Sequence, residues 1–121
     1  MIRVLIVDDH AVVRAGLRLL LDAERGIEVA GEAGSVDQAV FEARVHRPDV
    51  ILMDVVMPGQ NGFQLTRALS KDPATQNIPI IMCTSKNQQT DRIWGLRQGA
   101  RDYIVKPVKP EELLGKIAAL G

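Results

Sequence analysis

The chain has 121 residues, with fifteen basic and fifteen acidic side chains, two histidines and one cysteine. This length suits one domain able to bury roughly two-thirds of its unfolded surface. The cancelling charges give no bulk field for nucleic acid or an anionic membrane, and no apolar run approaches the roughly 18–20 residues that cross a bilayer. The lone cysteine, Cys83, excludes an intramolecular disulfide. It falls within an apolar run, so it reads as a buried inert thiol, as expected in a reducing cytoplasmic setting.

Met1 to Val7 lacks a separate basic region and a small-residue cleavage site, and reads as a strand rather than a leader. Its β-rich run, Val4 to Val7, stops at Asp8-Asp9. Ala11 to Asp22 has helical spacing, with Val12, Leu17, Leu20 and Leu21 expected on one apolar face and Arg14 and Arg18 opposite. Gly26 breaks the pattern, and Ile27 to Ala30 alternates as a second strand. Ser35-Val36-Asp37-Gln38 fits a capping box that opens a helix from Val36 to Val45, with Ala39, Val40 and Ala43 inward.

Pro48 leads into Val50-Ile51-Leu52-Met53-Asp54, four apolar residues closed by one carboxylate and followed by a Pro58-Gly59 turn signal. A buried parallel strand reads this way when it carries an acid at its C-terminal end. Gly62 to Ser70 is expected to be a helix burying Phe63, Leu65 and Leu69 in part, followed by a polar loop from Pro73 to Asn77. Ile78 to Cys83 reads as the fourth strand, ending at Thr84-Ser85. A helix over Asp91 to Gln98 turns Ile93 and Leu96 inward and leaves Trp94 partly exposed, with Gly99 past its end. Tyr103 to Val105 is the fifth strand. Pro110-Glu111-Glu112 opens the last helix, where proline and acids suit the first turn, and Leu113, Leu114, Ile117 and Leu120 line its inner face. Five strands alternating with five helices predict an α/β fold, a parallel sheet covered on both faces by right-handed crossovers. No repeat or linker interrupts it, and no second domain is expected.

In such a sheet, ligands bind outside the carboxyl ends of the strands. If the first, third, fourth and fifth strands share one crevice, it holds Asp8, Asp9, Asp54, Thr84 and Lys106. Two carboxylates about 5 Å apart repel by roughly 3 kcal/mol at an effective dielectric near 20, so three together call for a cation. Carboxylate, carbonyl and water oxygens suit magnesium better than zinc or copper. With Lys106 as a point charge for an anion and Thr84 as a hydroxyl donor, the set reads as a phosphoryl-transfer site with a carboxylate nucleophile. Each part also has a plain reading. Asp8-Asp9 can cap a helix, Asp54 can be a turn residue, Lys106 a solvated lysine and Thr84 a turn hydroxyl. His10 reads as a helix-start residue and His46 as a solvated helix end. The combination at successive strand ends is what carries the reading.

These residues resemble the receiver domains of two-component response regulators, chemotaxis regulators included. The likeness runs through Val7-Asp8-Asp9, Met53-Asp54, Met57-Pro58-Gly59, Gly62, Cys83-Thr84-Ser85, Gly99-Ala100 and Tyr103-Ile104-Val105-Lys106-Pro107. It implies a flavodoxin-like, doubly wound (βα)5 fold with strand order 2-1-3-4-5. It further implies that Asp54 accepts a phosphoryl group from a histidine kinase or phosphotransfer protein. Asp8, Asp9, Asp54 and the Val56 carbonyl would bind Mg2+. Lys106, Thr84 and the Ser85 N–H would contact the phosphoryl oxygens, and Thr84 and Tyr103 would form the switch. A downstream protein partner would bind the face made by the fourth helix, fifth strand and fifth helix, without contact to nucleic acid or membrane by this chain.

The two halves resemble different branches. Asp8-Asp9-His10 and Gly31-Glu32-Ala33-Gly34 are similar to receivers of helix-turn-helix DNA-binding regulators. Gly62 to Arg67, Lys71-Asp72-Pro73 and Trp94 to Gly99 are similar to stand-alone pilus-motility regulators. This reads as a chimera, natural or recombinant, joined near residues 51–56, and leaves open an alternative in which the mosaic folds as a scaffold without signalling. Two other classes fit worse. A flavodoxin-type carrier needs a phosphate-binding first loop, which Asp8-Asp9-His10 would repel. A haloacid-dehalogenase-type phosphatase needs a second acid two residues after its nucleophile, where Val56 stands.

Overall fold

The computed structural model describes residues 1–54, 62–84, 100–105 and 109–120, except for the side chains of residues 62, 63, 84 and 105. In chain order these form β1 (Ile2–Val7), α1 (Ala11–Asp22), β2 (Ile27–Ala33), α2 (Val36–His46), β3 (Val50–Asp54), α3 (Gly62–Lys71), β4 (Ile80–Thr84), β5 (Asp102–Val105) and α4 (Pro110–Leu120). The expected helix over 91–98, with Ile93, Trp94 and Leu96, lies outside the described residues, so α4 here is the last helix of the sequence reading. All strand pairs are parallel, in the order β2-β1-β3-β4-β5. This is the expected flavodoxin-like sheet.

Strand alternation divides the core into two layers. Leu5, Val7, Ile51, Met53 and Met82 point to one face, where Ala39 and Ala43 of α2 and Leu65 and Leu69 of α3 cover them. Val4, Ile6, Val50, Leu52, Ile81 and Ile104 point to the other, under Leu21 of α1 and Leu113 and Ile117 of α4. Strands buried on both faces explain the near-continuous apolar runs of β1 and β3. Among the described residues no helix is long and apolar enough to cross a membrane.

Several local details follow from the sequence. Ser35 caps α2, its hydroxyl accepting from the Gln38 N–H at 3.2 Å, while Gln38 Oε1 reaches back to the Gly34 N–H at 2.8 Å. The predicted capping box is thus present, with its return bond one residue earlier than usual. At the far end Arg47 takes a left-handed conformation (φ 45°) and its N–H bonds the Ala43 carbonyl. At position 31 a Cβ would come within 3.1 Å of Glu42 Oε2 and 3.3 Å of the His46 ring on α2, so those side chains would have to give by a few tenths of an ångström. Cys83 is buried, as expected.

Other details correct the sequence reading. Val12 is 85% exposed and takes no part in the core. It stands nine residues before buried Leu21, about two and a half helical turns, and so on the opposite side of α1. Arg14, expected opposite the core, is instead half-buried and turned toward the strand ends. The second strand runs on to Ala33 because its pairing with β1 skips Ala30, a bulge between the Val4–Val29 and Leu5–Gly31 pairs. The fourth strand begins at Ile80 rather than Ile78. The Ile78 N–H closes a turn onto the Thr75 carbonyl at 3.0 Å, and Pro79 has no N–H to enter a ladder.

Candidate functional site

The site forms where β1 and β3 lie side by side and the chain crosses to opposite sides of the sheet. Such a switch point leaves a crevice at the strand ends. Val7 pairs with Met53, which brings the next residues, Asp8 and Asp54, level with each other. Alternation then turns both carboxylates to the face shared by Ile6 and Leu52, beneath α1. Asp8 and Asp54 are buried, at 3% and 6% exposure. Val7, Val13, Leu17, Leu52, Met53 and Cys83 line the cleft with them. Such apolar walls lower the local dielectric and strengthen every charge interaction at the site.

The turn out of β1 is built by Asp8 itself. Its N–H bonds the Ala33 carbonyl at 3.0 Å, fixing it to β2, and its Oδ1 accepts from the His10 N–H at 2.8 Å. That loop lets α1 start at once and carries Asp9 over the crevice. Arg14 bridges the two strand ends: its guanidinium donates to the Asp8 carbonyl, and its Nε lies 3.3 Å from Glu32 Oε1. Arg18 adds a second ion pair to Glu32. These contacts fix the β1 end.

Asp8, Asp9, His10 and Asp54 each offer a donor atom, all within 4.8 Å of one another. At that separation each carboxylate pair repels by about 3 kcal/mol when ionised, at an effective dielectric near 20. Asp9 Oδ1 is buried and accepts no well-aligned hydrogen bond, with His10 Nδ1 3.1 Å away as an ion-pair partner when that ring is protonated. A buried carboxylate oxygen so placed is costly unless a cation meets it. The donors are mostly hard oxygens, so the residues present fit magnesium.

His10 is the member the sequence reading missed. It occupies the N-cap position of α1 as expected, yet its side chain makes no capping bond. The ring folds back instead, with Nδ1 3.2 Å from Asp8 Oδ1 and 3.1 Å from Asp9 Oδ1. Its position directly after two clustered acids was the available signal. His46, read as solvated, is half-buried and pairs with Glu42 at 2.8 Å, away from the strand-end acids.

Of the other predicted site residues, Val56, Ser85 and Lys106 lie outside the described residues, as does the Thr84 side chain. The Thr84 backbone ends β4, whose neighbour Cys83 pairs with Asp54, so position 84 follows directly beside the acids. Tyr103 sits in β5, half-buried against the α2–α3 layer, with Lys116 Nζ 5.8 Å from its ring centre. Lys116 also pairs with Asp102 at 2.9 Å, tying α4 to β5.

The sequence matches the response regulator receiver domain family over residues 4–118. It is 49% identical over 120 residues to protein PilH of Pseudomonas aeruginosa, an alignment covering 99% of this chain and 98% of that protein. The phosphate regulon transcriptional regulatory protein PhoB of Escherichia coli is 37% identical over 118 residues, and there the chain spans about half the relative's length (51%). Neither match is confined to one half of the chain, so a two-parent origin rests on the short residue strings alone. Among solved structures, the response regulator domain of Thermotoga maritima CheB superposes with a TM-score of 0.89 at 35% identity, covering 99% of this chain and 96% of that one. The matched sheet order, the acids at the β1 and β3 ends and a family match across nearly the whole length agree: the chain belongs to the receiver domain family of two-component response regulators.

Proposed function

We propose that Asp54 is the phosphoryl acceptor of this receiver domain. The observation that supports it is the register of β1 and β3, which sets the buried Asp54 carboxylate beside Asp8 and within 4.8 Å of the Asp9 donor. One Asp54 oxygen attacks the phosphorus of a phosphohistidine. The P–N bond breaks as the new O–P bond forms, and the departing imidazole nitrogen keeps the electron pair and takes up a proton. Asp8, Asp9 and Asp54, with the Val56 carbonyl, would hold magnesium. When bound, that ion supplies positive charge against the acids and the phosphoryl oxygens. Lys106 and the Thr84 hydroxyl compensate the remaining phosphoryl charge, with the Ser85 N–H as a further donor.

Receiver domains act with histidine kinases or phosphotransfer proteins and with downstream effectors. For this chain the donor docks over α1. Val12 and Leu19 are exposed there, 85% and 75%, with Ala15 on the same outer side of the helix. The output face combines the helix expected over 91–98 with β5 and α4, and Thr84 and Tyr103 couple it to the site. Incubation with acetyl phosphate followed by intact mass measurement tests the assignment. One phosphoryl adduct is expected with magnesium and none in excess EDTA. An adduct of equal yield in EDTA would show that the acidic pocket does not act through a cation.

A further inference from the structure

We infer that Lys116 is a positioning residue for Tyr103, clamping its ring so that the tyrosine resists displacement when Asp54 is phosphorylated. The inference rests on the proposal that Thr84 and Tyr103 couple the site to the output face. Three residues close the clamp. On β5, the strand at the sheet edge, the Tyr103 N–H donates to Asp102 Oδ1 at 2.8 Å. That bond orients the carboxylate, which accepts from Lys116 Nζ at 2.9 Å on each of its two oxygens. The ammonium held there lies 5.8 Å from the centre of the Tyr103 ring.

Both ends of the clamp stand on packed elements. Ile104, next to Tyr103, and Ile117, next to Lys116, are buried in the same core layer. The two backbones are therefore seated on the core, and the freedom that remains belongs to the side chains. An ammonium is attracted to the face of an aromatic ring within about 6 Å. At 5.8 Å the contact is close to that limit, so it lasts only while Asp102 keeps Lys116 in place. A tie between α4 and β5 needs no more than the Asp102–Lys116 pair. The ring adds a directional bias. A swing of Tyr103 away from the ammonium loses that attraction, whereas the ion pair survives the swing. A phosphoryl group at Asp54 that displaces the ring and a clamp that holds it oppose each other, and by linkage each weakens the other by the same factor.

Tyr103 is the single tyrosine of the chain, so 3-fluorotyrosine labelling gives one fluorine resonance. Its H2O–D2O isotope shift reads the solvent contact of the ring, free of the direct field of a neighbouring charge. Fluoroberyllate, a phosphoryl mimic, is expected to change that shift in the magnesium-containing parent protein. Without fluoroberyllate, Lys116→Gln and Asp102→Asn are each expected to move it toward the value of the bound parent. Both variants are expected to bind fluoroberyllate about two- to fivefold more tightly, the size of a partly exposed cation–π contact. Lys116→Arg keeps the charge and stacks on aromatic faces, and is expected to restore the parent behaviour. Melting temperatures are expected to change little, because partly exposed ion pairs contribute little to stability. A Lys116→Gln protein with the parent's isotope shift and affinity, or a change that Lys116→Arg does not reverse, overturns the inference and leaves Lys116 as a tie between α4 and β5. A parent resonance that bound fluoroberyllate leaves unmoved removes the Tyr103 coupling itself, and the inference with it.

Discussion

The Asp54→Asn variant is expected to carry no phosphoryl adduct under conditions that convert the parent protein. The two side chains have nearly the same shape, so the 6% exposed position at the end of β3 is filled as before. What is lost is the nucleophile, since an amide oxygen does not form a stable phosphoryl ester. One of the three donors clustered with His10 is also weakened. Intact mass spectrometry after acetyl phosphate treatment reads the first effect, and a thermal melt followed by circular dichroism checks the fold. A full-strength adduct on this variant would move the acceptor elsewhere.

The Leu113→Ala variant is expected to lose about 2–5 kcal/mol of stability. Leu113 is fully buried and joins Leu21, Leu52, Ile104 and Ile117 in the layer beneath α1 and α4. Truncation removes its transfer free energy and leaves a cavity between rigid strands that cannot collapse fully. The neighbouring Leu114 is only half-buried, so Leu114→Ala should cost clearly less. Urea unfolding with an unchanged slope separates the two. Equal losses at both positions would mean that α4 is seated differently on the sheet.

Much of this fold is readable from the chain because strands buried on both faces leave an unmistakable run. Val4 to Val7 and Val50 to Met53 are such runs, and each ends at the acid the site uses. The α1 limits and the Ser35 cap are equally plain, since both depend on neighbouring residues. The misreadings have two causes, a partner distant in sequence in the case of β2 and local geometry in the case of Val12 and Ile78. Nothing within Ile27 to Ala33 shows that the β1 partner skips Ala30. Val12 looks like a core residue until the angle to Leu21 is followed around the helix. The Asp8–Asp54 contact was predictable once the sheet order was assumed, because register follows from two strands of similar length. The position of His10 directly after Asp8 and Asp9 hinted at its pairing with them, whereas the direction in which the ring turns is set only by the folded turn.

Borohydride reduction of the phosphorylated protein tests at residue level whether Asp54 is the acid that becomes phosphorylated. Reduction converts an aspartyl phosphate to homoserine, which peptide mass mapping locates after proteolysis. Homoserine at position 54 alone, formed only when magnesium accompanied the acetyl phosphate, is the predicted result. Homoserine at position 8 or 9, or at any other acid in place of position 54, would contradict it.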